Sequence, residues 1–155
     1  MTKQGRGRVR PATMADLAEL VQLEAAGFPE DRYSRRQYRY YLQRPVNFSL
    51  FVYERERIVA GSAIMGWRRN SRVGHLYSIV TAPEHREAGL GTLLLAACEE
   101  EAAAKGKERI VLEVRRKNAA AVAFYERRGY AVTKTVADYY AGDDALHMEK
   151  RLLKA

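Results

Sequence analysis

The sequence feature that most constrains the fold is the stretch YSIVTAPEHREAGLGTLLLAACEEEAAAKG, which spans residues 77–106. It begins as an apolar, strand-like run, turns at a proline, passes through Gly89 and Gly91, and continues as an unbroken helix-like segment. A helix start leaves about four backbone N–H groups without intrahelical partners and carries the positive end of the helix dipole. Glycines at that position let an anion reach the backbone. The stretch therefore predicts a phosphate-binding loop between a strand and a helix.

Two familiar phosphate-binding motifs do not fit this loop. A P-loop requires Gly-Lys-Ser/Thr, whereas Gly91 is followed directly by Thr92 and the four-residue spacing between glycines is absent. A dinucleotide-binding fingerprint fits better, because Glu113 lies near the distance expected for a ribose-binding acid. However, Leu94 occupies the position of the third glycine, and residues 83–88 separate the strand from the glycines where a tight turn is required.

The length, cysteine content and charge of the chain indicate what kind of protein it is and which partner molecules it could bind. At 155 residues it is expected to form one domain, residues 1–155, with a core that needs neither metals nor disulfides. Cys98 is the single cysteine, MTKQGRGRVR at the start lacks an apolar signal sequence, and no run is long enough to span a membrane. We therefore expect a cytoplasmic protein. The formal charge of +8 favours anionic partners: nucleic acid, the ribosome or a ligand with several phosphates.

Apolar periodicity and turn residues predict a mixed sheet covered by helices. Thr13 and Asp16 stand at capping-box spacing before a first helix, and Ser34 can cap a second helix that ends before Pro45. Asn118 can cap a later helix that ends at Gly129. The predicted order is βααβββαβαββ, an α/β (α+β) arrangement. The predicted strands are residues 7–12, 48–54, 58–67, 73–81, 109–114, 130–136 and 145–153, and a long helix covers residues 89–105.

Two blocks of sequence carry a resemblance to a known family. The first is Arg86-x-x-Gly89-x-Gly91, which follows a strand and opens a helix; the second is LEVRRKNAAAVAFYERRGY at residues 112–130. Together with DYYAGDDALHMEK near the C-terminus, they resemble the GNAT superfamily of acyl-CoA-dependent N-acetyltransferases, and within it the ribosomal-protein-alanine N-acetyltransferase subgroup. The resemblance covers about residues 75–150 strongly and the first 70 only through element order and the opening VRPATMADLAEL. It implies the GNAT acyl-CoA N-acyltransferase fold.

The resemblance implies that the phosphate-containing ligand is acetyl-CoA. Its pyrophosphate is expected on the backbone N–H groups of residues 87–92, and its pantetheine arm is expected to pair with residues 79–81, where the family's fourth strand splays around a bulge. Glu87 departs from the glycine or polar residue that the family often has, and at worst it should weaken CoA binding. The implied cofactor-binding residues are Ile79, Val80, Thr81, Arg86, Glu87, Ala88, Gly89, Leu90, Gly91, Thr92 and Asn118.

Acetylation of an amine requires a proton acceptor, because an α-ammonium with a pKa of about 7.7–8.0 must lose a proton before its nitrogen attacks a thioester. The resemblance implies that this base is Glu113, acting through water, and the apolar residues around Glu113 in the sequence predict a raised pKa. A structural ion pair with Arg115 or Arg116 is the alternative. The resemblance also implies that Tyr125 protonates the departing thiolate. The alternative for Tyr125 is a core tyrosine with a satisfied hydroxyl.

Other reactive or charged groups are assigned structural roles. His75, His85 and His147 lack metal-ligand spacing, and no nucleophile with a partner base is recognisable, so neither a metal nor an acyl-enzyme is expected. Cys98 is predicted to pack on an apolar helix face. The arginine- and tyrosine-rich run DRYSRRQYRYYLQR at residues 31–44 could face nucleic acid or the ribosome, but a solvated helix face is the favoured interpretation.

The sequence therefore predicts direct acetyl transfer from acetyl-CoA to an amine, with a protein N-terminal α-amino group, such as that of a ribosomal protein, as the expected acceptor. The resemblance implies that Tyr139 and Tyr140 border the acceptor groove. The loop GFPEDRYS at residues 27–34 departs from the shorter Pro-Trp-Ser version common in the bacterial alanine enzymes, which leaves small amines and lysine side chains open as acceptors. A non-catalytic acyl-CoA-binding or RNA-binding module is the alternative from another class.

Overall fold

The computed structural model describes residues 7–28 and 32–152, and for residues 86–88 it describes the backbone alone. In this part of the chain the strands and helices follow the predicted order βααβββαβαββ, and 3₁₀ turns at Met14–Asp16 and Pro83–Ala88 precede the first and third helices. The strands are β1 Gly7–Pro11, β2 Phe48–Arg55, β3 Ile58–Trp67, β4 Val73–Thr81, β5 Arg109–Arg115, β6 Ala131–Tyr140 and β7 Asp143–Arg151; the helices are α1 Leu17–Gly27, α2 Arg35–Leu42, α3 Leu90–Ala104 and α4 Ala119–Arg127.

Side-chain caps fix the starts of α2 and α4, as the sequence predicts. The Ser34 hydroxyl accepts a hydrogen bond from the Gln37 backbone N–H at 3.2 Å, and the Gln37 side chain accepts one from the Ser34 N–H at 2.8 Å. Asn118 Oδ1 accepts a hydrogen bond from the Ala121 N–H at 3.1 Å. These contacts satisfy donors that the first helical turn would otherwise leave unpaired.

The last hairpin is longer than predicted. β6 continues past Val136 to Tyr140, and β7 begins at Asp143. The register shifts between Val136 and Tyr140, where Asp138 has a left-handed φ of 53°. Apolar alternation breaks at this bulge, so sequence periodicity ends the strand too early.

The strands form one seven-stranded mixed sheet in the order β1-β2-β3-β4-β5-β7-β6. All neighbouring strands pair antiparallel except β4 and β5, which are parallel. Helix α3 supplies the connection between these two parallel strands. The two helix-bearing faces of the sheet carry separate apolar clusters, one with Leu94 and Cys98 from α3 and one with Leu20 from α1 and Tyr38 from α2.

The strands β4 and β5 pair over a short distance and then separate. Their last paired residues are His75 and Val111, although β4 continues to Thr81. On its other edge β4 stays paired with β3, and the register shift opposite Ile64 and Met65 leaves Tyr77 as an extra, bulged residue. The splay and bulge implied by the resemblance are therefore present. Of the helices that the structure describes, none is long and apolar enough to cross a membrane.

Candidate active site

A cleft of about 380 Å³ opens where β4 and β5 separate. Its walls come from the end of α1, the segment before α2, the second half of β4, the end of β5, and α4. Two strands that stop pairing leave side chains and backbone groups facing a common space, so the splay itself creates the cleft. The cleft is lined by Glu24, Gly27, Phe28, Tyr33, Tyr77, Ser78, Ile79, Glu113, Val114, Arg115, Asn118, Ala121, Tyr125 and Tyr140.

Glu113 on β5 lines the cleft, and the rings of two histidines lie beside its carboxylate. His75 Nε2 lies 2.7 Å from Glu113 Oε1, and His147 Nε2 lies 3.6 Å from Glu113 Oε2. Burial is the largest single influence on this carboxyl group and raises its pKa, but the hydrogen bond from His75 and the charges of His75, His147 and Lys134 together outweigh burial. The pKa of Glu113 is therefore lowered, and the expectation of a raised pKa is wrong.

The ionic partners of Glu113 also differ from the arginines considered in the sequence. Arg116 lies 3.5 Å from Asp144, and the Arg115 guanidinium lies 4.7 Å from the centre of the Tyr140 ring. Glu113 is paired instead with imidazoles from β4 and β7. The partners of a strand residue are set by the neighbouring strands and not by the residues that follow it.

Tyr125 projects from α4 into the same cleft. Burial raises the pKa of Tyr125, with smaller contributions from the charges of Cys98 and Tyr140. Like an ordinary phenol, the side chain is protonated at neutral pH, which is the state that a proton donor requires. In the described part of the chain no hydrogen bond occupies the Tyr125 hydroxyl, so its proton is available to a molecule in the cleft.

Glu24 is a second carboxyl group in the cleft, and the sequence reasoning missed it. It is 1% exposed; the Tyr38 hydroxyl donates to its Oε1 at 2.6 Å and the Tyr33 backbone N–H donates to its Oε2 at 3.2 Å. Burial raises the pKa of Glu24, and the two hydrogen bonds oppose this effect. The available signal was position: Glu24 lies on the buried face of α1 with Leu17 and Leu20, where a carboxyl group is unusual.

The glycine loop meets α3 in an open geometry. Gly89 caps the helix in the left-handed conformation, with φ of 76°, and among the described residues no atom beyond its chain neighbours would lie within 4 Å of a Cβ there. A Cβ at Gly91 would lie 3.2 Å from the Phe124 ring, so α4 packs directly against the first turn of α3. Arg128 Nη2 donates to Thr92 Oγ1 at 2.6 Å, which fixes a guanidinium beside the loop. The first amide N–H groups of α3 have no intrahelical acceptors, which suits an anion.

Comparison with known proteins decides which family this site belongs to. The family model described as Acetyltransferase (GNAT) family matches residues 16–130. The chain belongs to the GNAT acetyltransferase family. This acetyltransferase is 29% identical over 136 residues to N-alpha-acetyltransferase 30 of Schizosaccharomyces pombe, a match that covers 85% of this chain and 87% of that one.

Solved structures of other acetyltransferases share the fold. The ribosomal-protein-S18-alanine N-acetyltransferase from Escherichia coli superposes with a TM-score of 0.86 at 23% identity, covering 97% of this chain and 96% of the other. The NatC complex bound to Gag peptide and CoA contains a chain with a TM-score of 0.82 at 23% identity, covering 96% of this chain and 99% of the other. At these identities the likeness concerns the fold.

The residues predicted to bind acetyl-CoA lie around the splay of this acetyltransferase. Residues 79–81 form the end of β4 beyond its last β5 partner, residues 89–92 lead into α3, and Asn118 lines the cleft while capping α4. The Ser78 hydroxyl also faces this region; it is buried and has no hydrogen-bond partner in the described residues. The side chains of Arg86, Glu87 and Ala88 lie outside the described part of the structure.

The predicted acceptor residues divide between the cleft and its rim. Tyr140 lines the cleft, whereas Tyr139 does not line it and is 53% exposed. The pKa of Tyr139 is raised by burial and by the charge of Glu113, which indicates that its hydroxyl lies within electrostatic reach of that carboxylate. Tyr33 and Tyr77 also line the cleft, so aromatic side chains lie on several of its walls beside the two glutamates.

The arginine- and tyrosine-rich helix α2 has two chemically different faces. Tyr38 is fully buried, and the partly buried Tyr41 ring stacks on Tyr77 with a centroid distance of 6.3 Å. Arg35, Arg36 and Arg39 are exposed. The tyrosines of the inner face therefore connect α2 to the wall of the cleft, while the arginines form a solvated surface. Residues 29–31 of the preceding loop lie outside the described part of the chain.

Proposed function

We propose that this acetyltransferase transfers the acetyl group of acetyl-CoA to the α-amino group of a protein N-terminus. One observation carries the proposal: the cleft at the splay of β4 and β5 is lined by the carboxyl groups of Glu24 and Glu113 and by the phenol of Tyr125. The ionised carboxylate of Glu113 favours a cationic amine, and a protonated phenol suits a leaving thiolate. Ribosomal proteins are among the candidate acceptors.

Acetyl-CoA supplies the acetyl group as a thioester. Glu113 accepts a proton from the acceptor α-ammonium through water, so the nitrogen lone pair becomes available for attack on the thioester carbonyl. The C–N bond forms as the C–S bond breaks, and the Tyr125 hydroxyl gives its proton to the departing sulfur. The second proton, which the nitrogen loses as it becomes an amide, returns through water to the Tyr125 phenolate. Because the amine attacks directly, no covalent bond to the protein is required.

The observations at the glycine loop fit the phosphates of CoA. In the described part of the chain, only the neighbours of Gly89 in sequence could lie within 4 Å of a Cβ at this position, and the first amides of a 15-residue helix follow it. The unpaired Ser78 hydroxyl and the unpaired edge of β4 at residues 79–81 offer hydrogen-bonding groups to an extended arm. We therefore propose residues 79–81, residues 86–92 and Asn118 as the groups that hold acetyl-CoA.

The choice of a protein N-terminus as acceptor draws on relatives and on the shape of the site. The S. pombe relative is named an N-alpha-acetyltransferase, the E. coli structure is that of an enzyme for a ribosomal-protein alanine, and the NatC structure contains a peptide beside CoA. In this chain, aromatic side chains at Tyr33, Tyr77 and Tyr140 flank the carboxyl groups. Such a wall can pack on the first side chains of a peptide.

The decisive experiment measures CoA release with matched acceptors. Each acceptor is a peptide with a free N-terminus, the same peptide with a blocked N-terminus, a blocked peptide that contains lysine, or a polyamine. We expect turnover with the free N-terminus alone. Turnover that persists after the N-terminus is blocked but lysine is present would make the chain a lysine acetyltransferase, and turnover with polyamines alone would make it a small-amine enzyme. CoA binding without turnover on any amine would support a binding module.

A further inference from the structure

A side-chain hydrogen bond between His75 and Glu113 lies where the backbone ladder between β4 and β5 ends. His75 and Val111 are the last paired residues, and Glu113 stands two residues further along β5. Alternate residues of a strand share a face, so Val111 and Glu113 project to the same side of the sheet. The 2.7 Å contact between His75 Nε2 and Glu113 Oε1 therefore links the two strands at the mouth of the splay.

A contact with the Tyr77 ring restricts where the His75 imidazole can lie. Its centroid is 4.6 Å from that of Tyr77, the bulged residue of β4. A Cβ at Gly66 would come 2.6 Å from the Tyr77 ring, so the absence of a side chain at Gly66 creates the space that this ring occupies. The imidazole therefore packs against the bulged residue of β4, close to the splay that creates the cleft.

We propose that His75 is a positioning residue for Glu113: its Nε2–H donates to Oε1 and holds the carboxylate ionised and oriented at the split between β4 and β5. This inference rests on the proposed function, in which Glu113 is the base. In this geometry Nε2 carries the hydrogen that it donates, so this nitrogen does not take up the transferred proton. The remaining lone pairs of the carboxylate accept, through water, the proton of the acceptor α-ammonium.

The charged and titratable groups around Glu113 come from three other strands. His75 belongs to β4, His147 to β7, and Lys134 and Tyr139 to β6, while Glu113 itself is on β5. Of these groups, His75 is the one at hydrogen-bond distance; His147 Nε2 is 3.6 Å away and His147 Nδ1 lies 2.7 Å from the Thr133 hydroxyl. The lowered pKa of Glu113 agrees with this geometry, because a donor to the ionised form favours it.

The test compares three folded variants by carbon-13 NMR titration of the Glu113 carboxyl group, whose signal is assigned by its loss in Glu113→Gln. In His75→Ala the donor is lost, and we expect the pKa of Glu113 to rise relative to wild type. In His75→Gln the amide N–H can replace the imidazole donor, and we expect most of the difference to be recovered. His147→Gln is the matched control, because it removes an imidazole that lies farther from Glu113. We expect it to change the pKa of Glu113 less than His75→Ala does.

The same variants give a kinetic readout. We expect kcat of His75→Ala to fall about tenfold, the size of one lost hydrogen bond to a charged group, while the KM for acetyl-CoA stays unchanged and His75→Gln recovers most of the activity. Should His75→Ala prove unfolded, the comparison of His75→Gln with His147→Gln decides: a larger effect at His147 overturns the proposal. An unchanged Glu113 titration in folded His75→Ala also overturns it.

Failure of the proposed function gives a different result. If Glu113→Gln turns over like wild type, the base is assigned wrongly, and His75 then has no base to position. If Glu113→Gln is inactive while His75→Ala changes neither the titration nor kcat, the base assignment stands and the role of His75 alone is refuted.

Discussion

The Tyr38 hydroxyl donates a 2.6 Å hydrogen bond to Glu24 Oε1, which joins a fully buried ring of α2 to a buried carboxyl group of α1 at the edge of the cleft. This side-chain hydrogen bond joins two helices whose backbones form no hydrogen bonds to each other. It therefore ties the position of α2, and with it the aromatic wall of the cleft, to a titratable group.

The pH dependence of stability should distinguish Glu24 from Glu113. The pKa of Glu24 is raised in the folded chain, so Glu24 lowers the free energy of unfolding as pH rises from its unfolded pKa through the folded value. The pKa of Glu113 is lowered, so Glu113 adds stability above its unfolded pKa and loses it as pH falls through the folded value. As pH rises from acid to neutral, the melting temperature of Glu24→Gln should rise relative to that of wild type. The melting temperature of Glu113→Gln should fall relative to that of wild type over the same range. Thermal melts in which both variants shift in the same direction would contradict one of the two assignments.

Replacement of Glu113 by glutamine should reduce turnover while leaving CoA binding intact. The amide preserves the shape of the side chain but cannot accept the proton, and kcat at pH 7 should fall by roughly 100-fold if general-base catalysis has its usual weight. The loss should shrink as pH rises, because the acceptor amine is then already neutral. Steady-state kinetics at several pH values, with calorimetry for CoA, check this; a loss that is constant with pH would argue against the role of base.

Replacement of Tyr125 by phenylalanine should slow the departure of the thiolate. The variant keeps the ring contact with Tyr130, whose centroid is 5.7 Å away, and loses the hydroxyl proton. Turnover with acetyl-CoA should fall, and the loss should be smaller with a thioester whose leaving thiol is more acidic and needs less protonation. Equal losses with both thioesters would indicate that the hydroxyl has a structural role.

Substitution of Gly89 should weaken CoA binding through charge as well as backbone strain. Gly89 has φ of 76°, a conformation that asparagine and aspartate adopt more readily than most residues. Gly89→Asn therefore serves as the matched control for Gly89→Asp, which adds a negative charge near the expected pyrophosphate. We expect calorimetry to give weaker binding for aspartate than for asparagine, by roughly tenfold or more. Wild-type affinity in a folded Gly89→Asp protein would refute the pyrophosphate site.

The arginines of α2 provide a test of electrostatic steering. Replacement of Arg35, Arg36 and Arg39 by serine should lower kcat/KM for an acidic or nucleic-acid-associated acceptor and flatten its salt dependence, but should not affect a small neutral peptide. The control replaces Arg8, Arg127 and Arg151, which are also exposed, and so removes the same charge elsewhere. If both triple variants behave alike with every acceptor, α2 presents only a solvated surface.

Sequence patterns were sufficient to predict the order of the elements, the starts of α2 and α4, and a glycine turn at the start of α3. These features depend on neighbours a few residues apart: Ser34 with Gln37, Asn118 with Ala121, and Gly89 at the first turn of α3. Capping and left-handed glycine conformations are local effects, so short sequence motifs can predict them. The extra length of β6 was not predicted, because its bulge interrupts the apolar alternation from which strands are predicted.

The charged partners of Glu113 depend on contacts between distant segments and could not be predicted from the sequence. Ile110, Leu112 and Val114 suggested an apolar environment for Glu113, but in a strand these residues face the opposite side of the sheet and pack in the core with α3. The partner of Glu113 is instead His75, 38 residues earlier in the chain. Strand register sets which side chains meet, and a register between distant segments depends on the packing of the whole sheet. The helical position of Glu24 indicated burial, but its place in the cleft depends on how α1 packs against the sheet.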